Sequence, residues 1–354
     1  MAWTADVRKR AEASAKRLVA ERGLARTLRD RAIPNLRTGH RTQPTTVYYL
    51  APSESTPSGG VRVIYRHVDA LNELGIPASV LHDRAGFRCT WFENDTRVQA
   101  TDDVELQPND ILVVPEFYGV RMQGIPDGVR VLVFNQGAYH TFDHMDLGSS
   151  ASGAPYSNVP DLLGILTVSA DSEKLLAYSF PGIPIMRARP VVDGTIFHPG
   201  STPGTTQLAF MQSRRKTERE HLLHLLSARG IDWTLAPIAG KSESEVAAIL
   251  RRSAIFLSFS DRDGFGLPPA EAMASGCYVI GFTGGGGDEF FDPEYSAPVT
   301  TILDFAIAVE RAAAEPVERL HERGVDASER ILARYSVDGL RDDLARAYEP
   351  LVVR

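Results

Sequence analysis

The sequence predicts an α/β protein of two doubly wound domains facing one another, and three observations carry that prediction. Short β-rich apolar runs alternate with helical patterns along most of the 354 residues, the pattern of parallel sheets covered on both faces. The series is interrupted by one linker-like stretch, Pro199-Gly200-Ser201-Thr202-Pro203-Gly204, and then resumes. At ~150 residues per domain the length allows roughly two. Two such sheets leave a cleft between them, and ligands bind these folds at the carboxyl ends of the strands.

In chain order, residues 1–45 are expected to form a basic helical arm. Its first 41 residues hold eleven Lys/Arg against four acids, a charge of +7, which leaves −14 of the net −7 on the rest of the chain. A thin apolar stripe (Trp3, Val7, Ala11, Ala15, Leu18, Val19) makes the arm amphipathic. Two readings stand: a solvated helix packing on the acidic body or a partner, or peripheral contact with an anionic membrane through residues 1–41. The first domain, residues 46–190, begins with the run Val47–Leu50. Further strands are expected over 77–82, 111–114, 129–134, 163–168 and 183–188, with helices over 60–74 and 170–179. The second domain, residues 191–336, is expected to hold strands 207–211, 232–237, 255–259 and 277–281. Helices 217–229, 242–252 and 268–275, with others near 302–314 and 317–334, complete it. A helix over 337–350 closes the chain.

Composition narrows the classes. Hydrophobic residues are 43% and charged residues 23% of the chain, ordinary for a globular protein. No run of ~18 apolar residues predicts a transmembrane helix, and no leader-like segment opens the chain. The distant Cys89 and Cys277 read as reduced thiols of a cytoplasmic protein. An acidic body disfavours nucleic acid as a partner.

The most informative segment runs from Ser258 to Gly276, SFSDRDGFGLPPAEAMASG. An apolar strand ends at Phe259, a loop with Gly264 and Gly266 follows, and Pro268-Pro269 start a helix, where proline costs no hydrogen bond. Gly276 stops it. A helix N-terminus behind a glycine loop presents free N–H groups and a positive dipole end, which suits a phosphate. Glu271 is placed in the first turn, where a carboxylate can accept hydrogen bonds from the vicinal hydroxyls of a ribose. Asp263, eight residues earlier, faces the same ligand from the strand end.

This segment resembles the signature of retaining GT-B glycosyltransferases of the glycogen-synthase-like superfamily, family 4 (glycosyl transferases group 1) in particular: an acid, seven residues, then Glu, with Gly-Phe-Gly-Leu-Pro between. Ser58-Gly59-Gly60-Val61-Arg62 is similar to the family's glycine loop opening the first helix. Thr167-Val168-Ser169 and Val192-Asp193-Gly194-Thr195-Ile196-Phe197 resemble its interdomain markers, and Gly284–Gly287 with Asp288-Glu289 its later glycine loop. The likeness spans roughly residues 46–350. It implies a GT-B fold whose C-terminal helix, within 337–354, packs back on the first domain. It implies a hexosyl or deoxyhexosyl transferase that moves a sugar from a nucleotide-diphosphate donor to an acceptor hydroxyl with retention, needing no metal or other cofactor. Asp263, Arg215 and Lys216 are then the catalytic set. The donor is held by Glu271, Gly264, Phe265, Gly266, Leu267, Arg214 and Glu289, with backbone atoms near Ile238 beside the nucleobase. Gly59, Gly60, Arg62, Glu116, Gln136 and His140 line the acceptor side. The sequence departs from the family in three places. The first acid is Asp263 instead of Glu. The basic element Arg214-Arg215-Lys216 follows Gln212-Ser213 where glycine is usual, and any two of its cations can reach a diphosphate. Gln136 stands where many members place a histidine. Saccharide, lipid-linked and small-molecule acceptors are all open, with polysaccharide or glycoconjugate biosynthesis the setting the basic arm favours.

Other readings compete. Asp261-Arg262-Asp263 is an Asp-x-Asp that can hold Mg²⁺ or Mn²⁺. Ala239-Gly240-Lys241-Ser242 resembles the end of a phosphate loop but lacks its first glycine, so a turn with Ser242 as N-cap and Glu245 closing a capping box is preferred. His140 and His144 are four apart without a third ligand, and read as a surface or cleft pair. His221 and His224 read as exposed, Cys277 as a core thiol. Glu289 either touches the donor sugar or orients its own loop. On the same fold, a silent sugar-nucleotide-binding subunit, an epimerase or a phosphorylase is the alternative function.

Overall fold

The structure, a computed structural model, describes residues 31–353 except His144, Asp146 and Ser150. Expectations for residues 1–30 of the basic arm, and for His144, therefore lie outside the described residues, while residues 31–45, expected in the helical arm, are non-helical and include a short strand at Arg37–Thr38.

Two all-parallel sheets form the body. The first contains β1 (Val47–Leu50), β2 (Ala78–His82), β3 (Val98–Ala100), β4 (Ile111–Pro115), β5 (Arg130–Asn135), β6 (Leu162–Thr167) and β7 (Ile185–Arg187), in the order β3-β2-β1-β4-β5-β6-β7. The second contains β8 (Thr205–Met211), β9 (Thr234–Ile238), β10 (Ser253–Phe259), β11 (Tyr278–Phe282) and β12 (Ser296–Pro298), in the order β9-β8-β10-β11-β12. Strand order therefore reverses between β1 and β4 in one sheet and between β8 and β10 in the other. These are the switch points at which doubly wound sheets open a crevice. β3, β12 and a two-residue pairing of Arg37–Thr38 with Glu105–Leu106 were not anticipated; all are too short to carry a periodic signal.

Alternation along the strands sorts the core into layers. In β1, Val47 and Tyr49 face one apolar cluster while Tyr48 and Leu50 face another. In β11, Val279 joins the first of these and Tyr278, Ile280 and Phe282 join a third. The first cluster thus runs through both domains. In the first domain it is covered by α1 (Gly59–Glu73), which buries Val61, Ile64, Val68 and Leu71 at helical spacing. The opposite face, behind β4, β5 and β6, is covered by the 3₁₀ turns Glu116–Gly124 and Ala138–His140 together with α2 (Ala170–Ser179). The second sheet is wrapped by α3 (Lys216–Ala228), α4 (Glu243–Arg252), α5 (Leu267–Ala274), α6 (Ile302–Ala313) and α7 (Val317–Arg334). The capping box of Ser242 and Glu245 forms at the start of α4.

The last helix, α8 (Val337–Tyr348), lies against α1 of the first domain. The Tyr348 and Tyr49 hydroxyls are 2.8 Å apart, and the Thr45 N–H donates to the Val353 carbonyl at 2.9 Å. Both cysteines are buried and free, and the Cys277 thiol donates to the Leu250 and Ser253 carbonyls, a core role. His221 and His224 are exposed. No helix among the described residues is long and apolar enough to cross a membrane.

Candidate active site

The switch points of the two sheets face each other across a cavity of about 590 Å³. Its first-domain wall comes from the loop after β1 (Gly59, Gly60, Arg62), from Glu116 after β4, and from Gln136 and His140 after β5. Its second-domain wall comes from Ser213 and Arg214 after β8, Lys241 after β9, and the stretch from the end of β10 through Ser260, residues 262–269 and Glu271.

The turn after β10 is shaped by two close backbone approaches. A Cβ on Gly264 would lie 1.9 Å from the Gln136 carbonyl oxygen, so only glycine lets the two domains meet here. A Cβ on Gly286 would lie 2.3 Å from the Gly264 carbonyl oxygen. The glycine run 284–287 therefore braces this turn from behind: the Asp263 N–H donates to the Gly284 carbonyl at 2.9 Å and the Gly286 N–H to the Asp263 carbonyl at 3.0 Å. α5 then starts with Gly266 in the left-handed region at φ 96° and prolines at its first positions. Pro268 and Pro269 carry no N–H and the Ala270 N–H donates to the Gly266 carbonyl at 3.3 Å, so the donors this turn offers an anionic oxygen are the N–H groups of residues 264–267, which line the cavity.

The charged groups around that floor are already assigned. The Asp263 carboxylate accepts from the Arg214 guanidinium at 3.3 Å and is mostly buried, whereas Asp261 turns outward to Arg215 at 3.2 Å. The two acids of the Asp-x-Asp thus diverge onto separate arginines, and among the described residues no group of three His, Cys, Asp or Glu is placed to hold a metal. Lys241 sits at the cavity rim, 3.1 Å from Glu245. Glu271 stands at the fifth position of α5, slightly deeper than the first turn, and its carboxylate accepts from Arg62 of α1; Arg62 also donates to Glu243 at the start of α4. Burial pushes the Glu271 carboxyl above its ordinary range, and Arg62 acts against that shift.

The first-domain wall is less committed. Glu116 has its carboxyl pushed up to about 7 by burial, opposed in part by backbone N–H groups of Gln136 and its own residue. The Gln136 amide donates to the Gly60 carbonyl at 3.0 Å, which ties the two glycine-rich loops together. His140 Nδ1 is 2.7 Å from an Asp143 oxygen. Arg262, in the left-handed region at φ 52°, brings its guanidinium within 3.7 Å of Asp143 from the opposite domain.

Three side chains expected at the site lie elsewhere. Arg215 is drawn behind the turn, bonded to the Ser260 carbonyl at 3.0 Å, paired with Glu218 and stacked on Phe282. Lys216 is exposed and pairs with Glu220 along α3. The Ile238 side chain is buried in the core, which leaves the expected contact through its backbone untouched. Glu289 is carried away by the 3₁₀ turn Gly286–Glu289; it accepts from the Ala170 N–H at 2.9 Å at the start of α2 and from the Tyr335 hydroxyl at 2.8 Å. These contacts tie its own loop to the start of α2 and to Tyr335. Glu243 and Lys241, conversely, were not read as site residues. The capping box does put them at a helix start beyond β9, on the carboxyl edge of the sheet.

Comparison with known proteins decides the family. Residues 215–323 match the family described as glycosyl transferases group 1. The chain is 30% identical over 241 residues to an alpha-1,6-glucosyltransferase of Actinobacillus pleuropneumoniae serotype 7 (strain AP76), covering 64% of this chain and 69% of the relative. The chain belongs to the group 1 glycosyltransferases. Solved structures place the fold of this glycosyltransferase as GT-B. Sucrose-phosphate synthase from Thermosynechococcus elongatus superposes with a TM-score of 0.61 at 12% identity, over 87% of this chain and 99% of that one. Anabaena HepE in complex with UDP-glucose gives 0.61 at 9% identity, over 87% and 100%.

Proposed function

We propose that this glycosyltransferase moves a hexosyl group from a nucleoside-diphosphate sugar to a saccharide hydroxyl with retention of anomeric configuration. The observation that carries the reading is the braced turn of residues 260–267, opening α5 toward the first domain's glycine loop across the cavity. The curated relative is named a glucosyltransferase and HepE was solved with UDP-glucose, which makes UDP-glucose the first donor to test.

In this reading Glu271 accepts hydrogen bonds from the ribose hydroxyls. The diphosphate lies on the N–H groups of residues 264–267, with Arg214 and Lys241 beside it. Departure of the nucleoside diphosphate builds negative charge, and donors already aimed at it lower that barrier without reorganising. The two carboxylates of the Asp-x-Asp are each held by an arginine, so side-chain cations take the place of a metal ion in this proposal. Asp263 holds donor-sugar hydroxyls and favours positive charge at the anomeric carbon. The departing phosphate oxygen takes the proton of the acceptor hydroxyl on the same face, which retains configuration. Gln136, His140 and Glu116 orient that hydroxyl from the first-domain wall. Closure excludes water that would otherwise hydrolyse the donor. The setting we propose is polysaccharide or glycoconjugate synthesis, with residues 1–41 available for contact with a membrane surface.

A panel of nucleotide sugars scored by thermal shift tests the donor, since a true donor raises the melting temperature by linkage. Release of nucleoside diphosphate with glucan oligosaccharide acceptors tests transfer, and NMR of the new anomeric proton tests retention. Donor stabilisation without diphosphate release under any acceptor would favour a silent binding subunit.

A further inference from the structure

A line of five ionic side chains joins the two domains beneath the cavity. Glu271 of α5 accepts from Arg62 of α1, and Arg62 donates also to Glu243 of α4. Arg66, one helical turn along α1, lies 3.6 Å from Glu243 and 3.2 Å from Asp193 in the interdomain connection. The Arg62, Glu243 and Glu271 side chains are 10%, 7% and 9% exposed. Taking such charges out of water costs several kcal/mol per ion, and apolar replacements of similar shape often stabilise as well or better. Stability is therefore a poor reason for this arrangement, whereas register between two moving parts is a good one. Arg62 and Arg66 sit on one face of α1 at i, i+4, and each is shared between two acids, so neither pair forms fully unless α1 is seated against the second domain.

We propose that Arg62, supplied by the first domain, is a positioning residue of the nucleotide subsite. It keeps the Glu271 carboxylate ionised and aimed at the ribose, so a nucleoside diphosphate is held tightly only when the domains are closed. This rests on the ribose role given to Glu271 above. A carboxylate oxygen has room for a second donor beside a guanidinium, so Arg62 and a ribose hydroxyl share Glu271 and need not compete for it. The charged groups around Glu271 are Arg62 and Arg66 from α1, Glu243 from α4 and Lys241 at the cavity rim, with Asp193 beyond Arg66. Burial already pushes the Glu271 carboxyl up, and removing Arg62 raises it further. Protonated, that carboxyl is a poorer acceptor for two hydroxyls.

The test is calorimetry with whichever of UDP, ADP or GDP most stabilises the wild-type chain, together with its 2′-deoxy counterpart, from pH 8.5 to 6. The wild type should prefer the ribonucleotide by about tenfold or more, the scale of a hydrogen bond to a charged group. In Arg62→Met that preference should fall to about that of Glu271→Gln, and the ratio of mutant to wild-type dissociation constants should climb up to about tenfold per pH unit as pH falls. Taking ratios cancels titration of the ligand itself. Arg62→Lys, which restores charge with one point donor, should recover part of the preference. An unchanged 2′-hydroxyl preference in both Arg62 variants, with a flat pH ratio, overturns the proposal, and equal weakening of both nucleotides assigns Arg62 to the phosphates instead. A wild type that binds none of the three nucleotides, or in which Glu271→Gln changes nothing, overturns the ribose reading itself and is distinguishable from either result.

Discussion

The two walls of the cleft are built on different plans. On the second-domain wall nearly every charged side chain is committed: Asp263 to Arg214, Glu271 to Arg62, and the turn itself to the glycine run behind it. On the first-domain wall, Arg62 and Gln136 apart, Glu116 and His140 rest on short 3₁₀ turns, and burial pushes the Glu116 carboxyl up to about 7. A wall that must hold the same diphosphate in every cycle gains from preorganisation. A wall that orients an acceptor hydroxyl, whose proton goes to the departing phosphate in the proposed mechanism, gains from polar groups still free to bind it.

Breaking the meeting point of the walls should have the largest effect. Gly264→Ala puts a methyl 1.9 Å from the Gln136 carbonyl oxygen and can be relieved only by parting the domains. Overpacking costs about 1–3 kcal/mol, and transfer should fall on the order of a hundredfold. Gly59→Ala meets only the tip of Leu267 at 3.0 Å, which can rotate away, and should cost less than about threefold by the usual tolerance for small shifts. Diphosphate release by the two variants is the measurement, and equal losses would mean that the closed cleft is not the working form. Arg214→Ala should weaken nucleoside-diphosphate binding by about 1.5–3 kcal/mol, the range for a charged hydrogen bond, as read by calorimetry.

Next in size is an acid effect confined to the first domain. His67 and His82 are fully buried there, and burial lowers their pKa values to about 3 and about 4, while His221 and His224 of the second domain are exposed. A histidine held neutral in the fold binds its proton only when unfolded between the two pKa values. Stability should therefore be full above pH ~6.5 and fall by up to about 1.4 kcal/mol per pH unit for each group as pH drops toward 4. Denaturant melts at pH 7 and 5.5 would record the loss, and it should shrink in His82→Gln.

The Glu116 carboxyl, at about 7, should be half ionised near neutrality. In Glu116→Gln the pH–rate profile should lose an inflection near 7, while nucleoside-diphosphate affinity stays unchanged. A weakened affinity would move Glu116 to the donor side of the cleft. The smallest effect is expected for Lys216→Ala. Its ammonium is exposed and pairs only along its own helix, so nucleotide affinity should change less than about twofold, in line with other surface pairs.

What the sequence disclosed follows the same division. The second-domain segment was legible because its parts are local: strand, glycine loop, proline-started helix and stopping glycine fall within residues 253–276. The order of strands and helices was likewise readable from periodicity, apart from β3, β12 and the two-residue pairing of Arg37–Thr38 with Glu105–Leu106. The Arg62 clasp was not legible, since its partners Glu243 and Glu271 stand 181 and 209 residues away. Glu289 was drawn toward the donor by its glycine loop, yet a single 3₁₀ turn rotates it to the start of α2. Arg215 was expected at the phosphates as part of a basic run, but its left-handed backbone at φ 41° sends the side chain behind the turn instead.

A crystal structure of the protein soaked with UDP at saturating concentration tests the central claim most directly. The account predicts a diphosphate seated on the N–H groups of residues 264–267 beside Arg214, with the ribose hydroxyls on Glu271. A nucleotide bound elsewhere, or a turn left bare while the ligand is in excess, would contradict it.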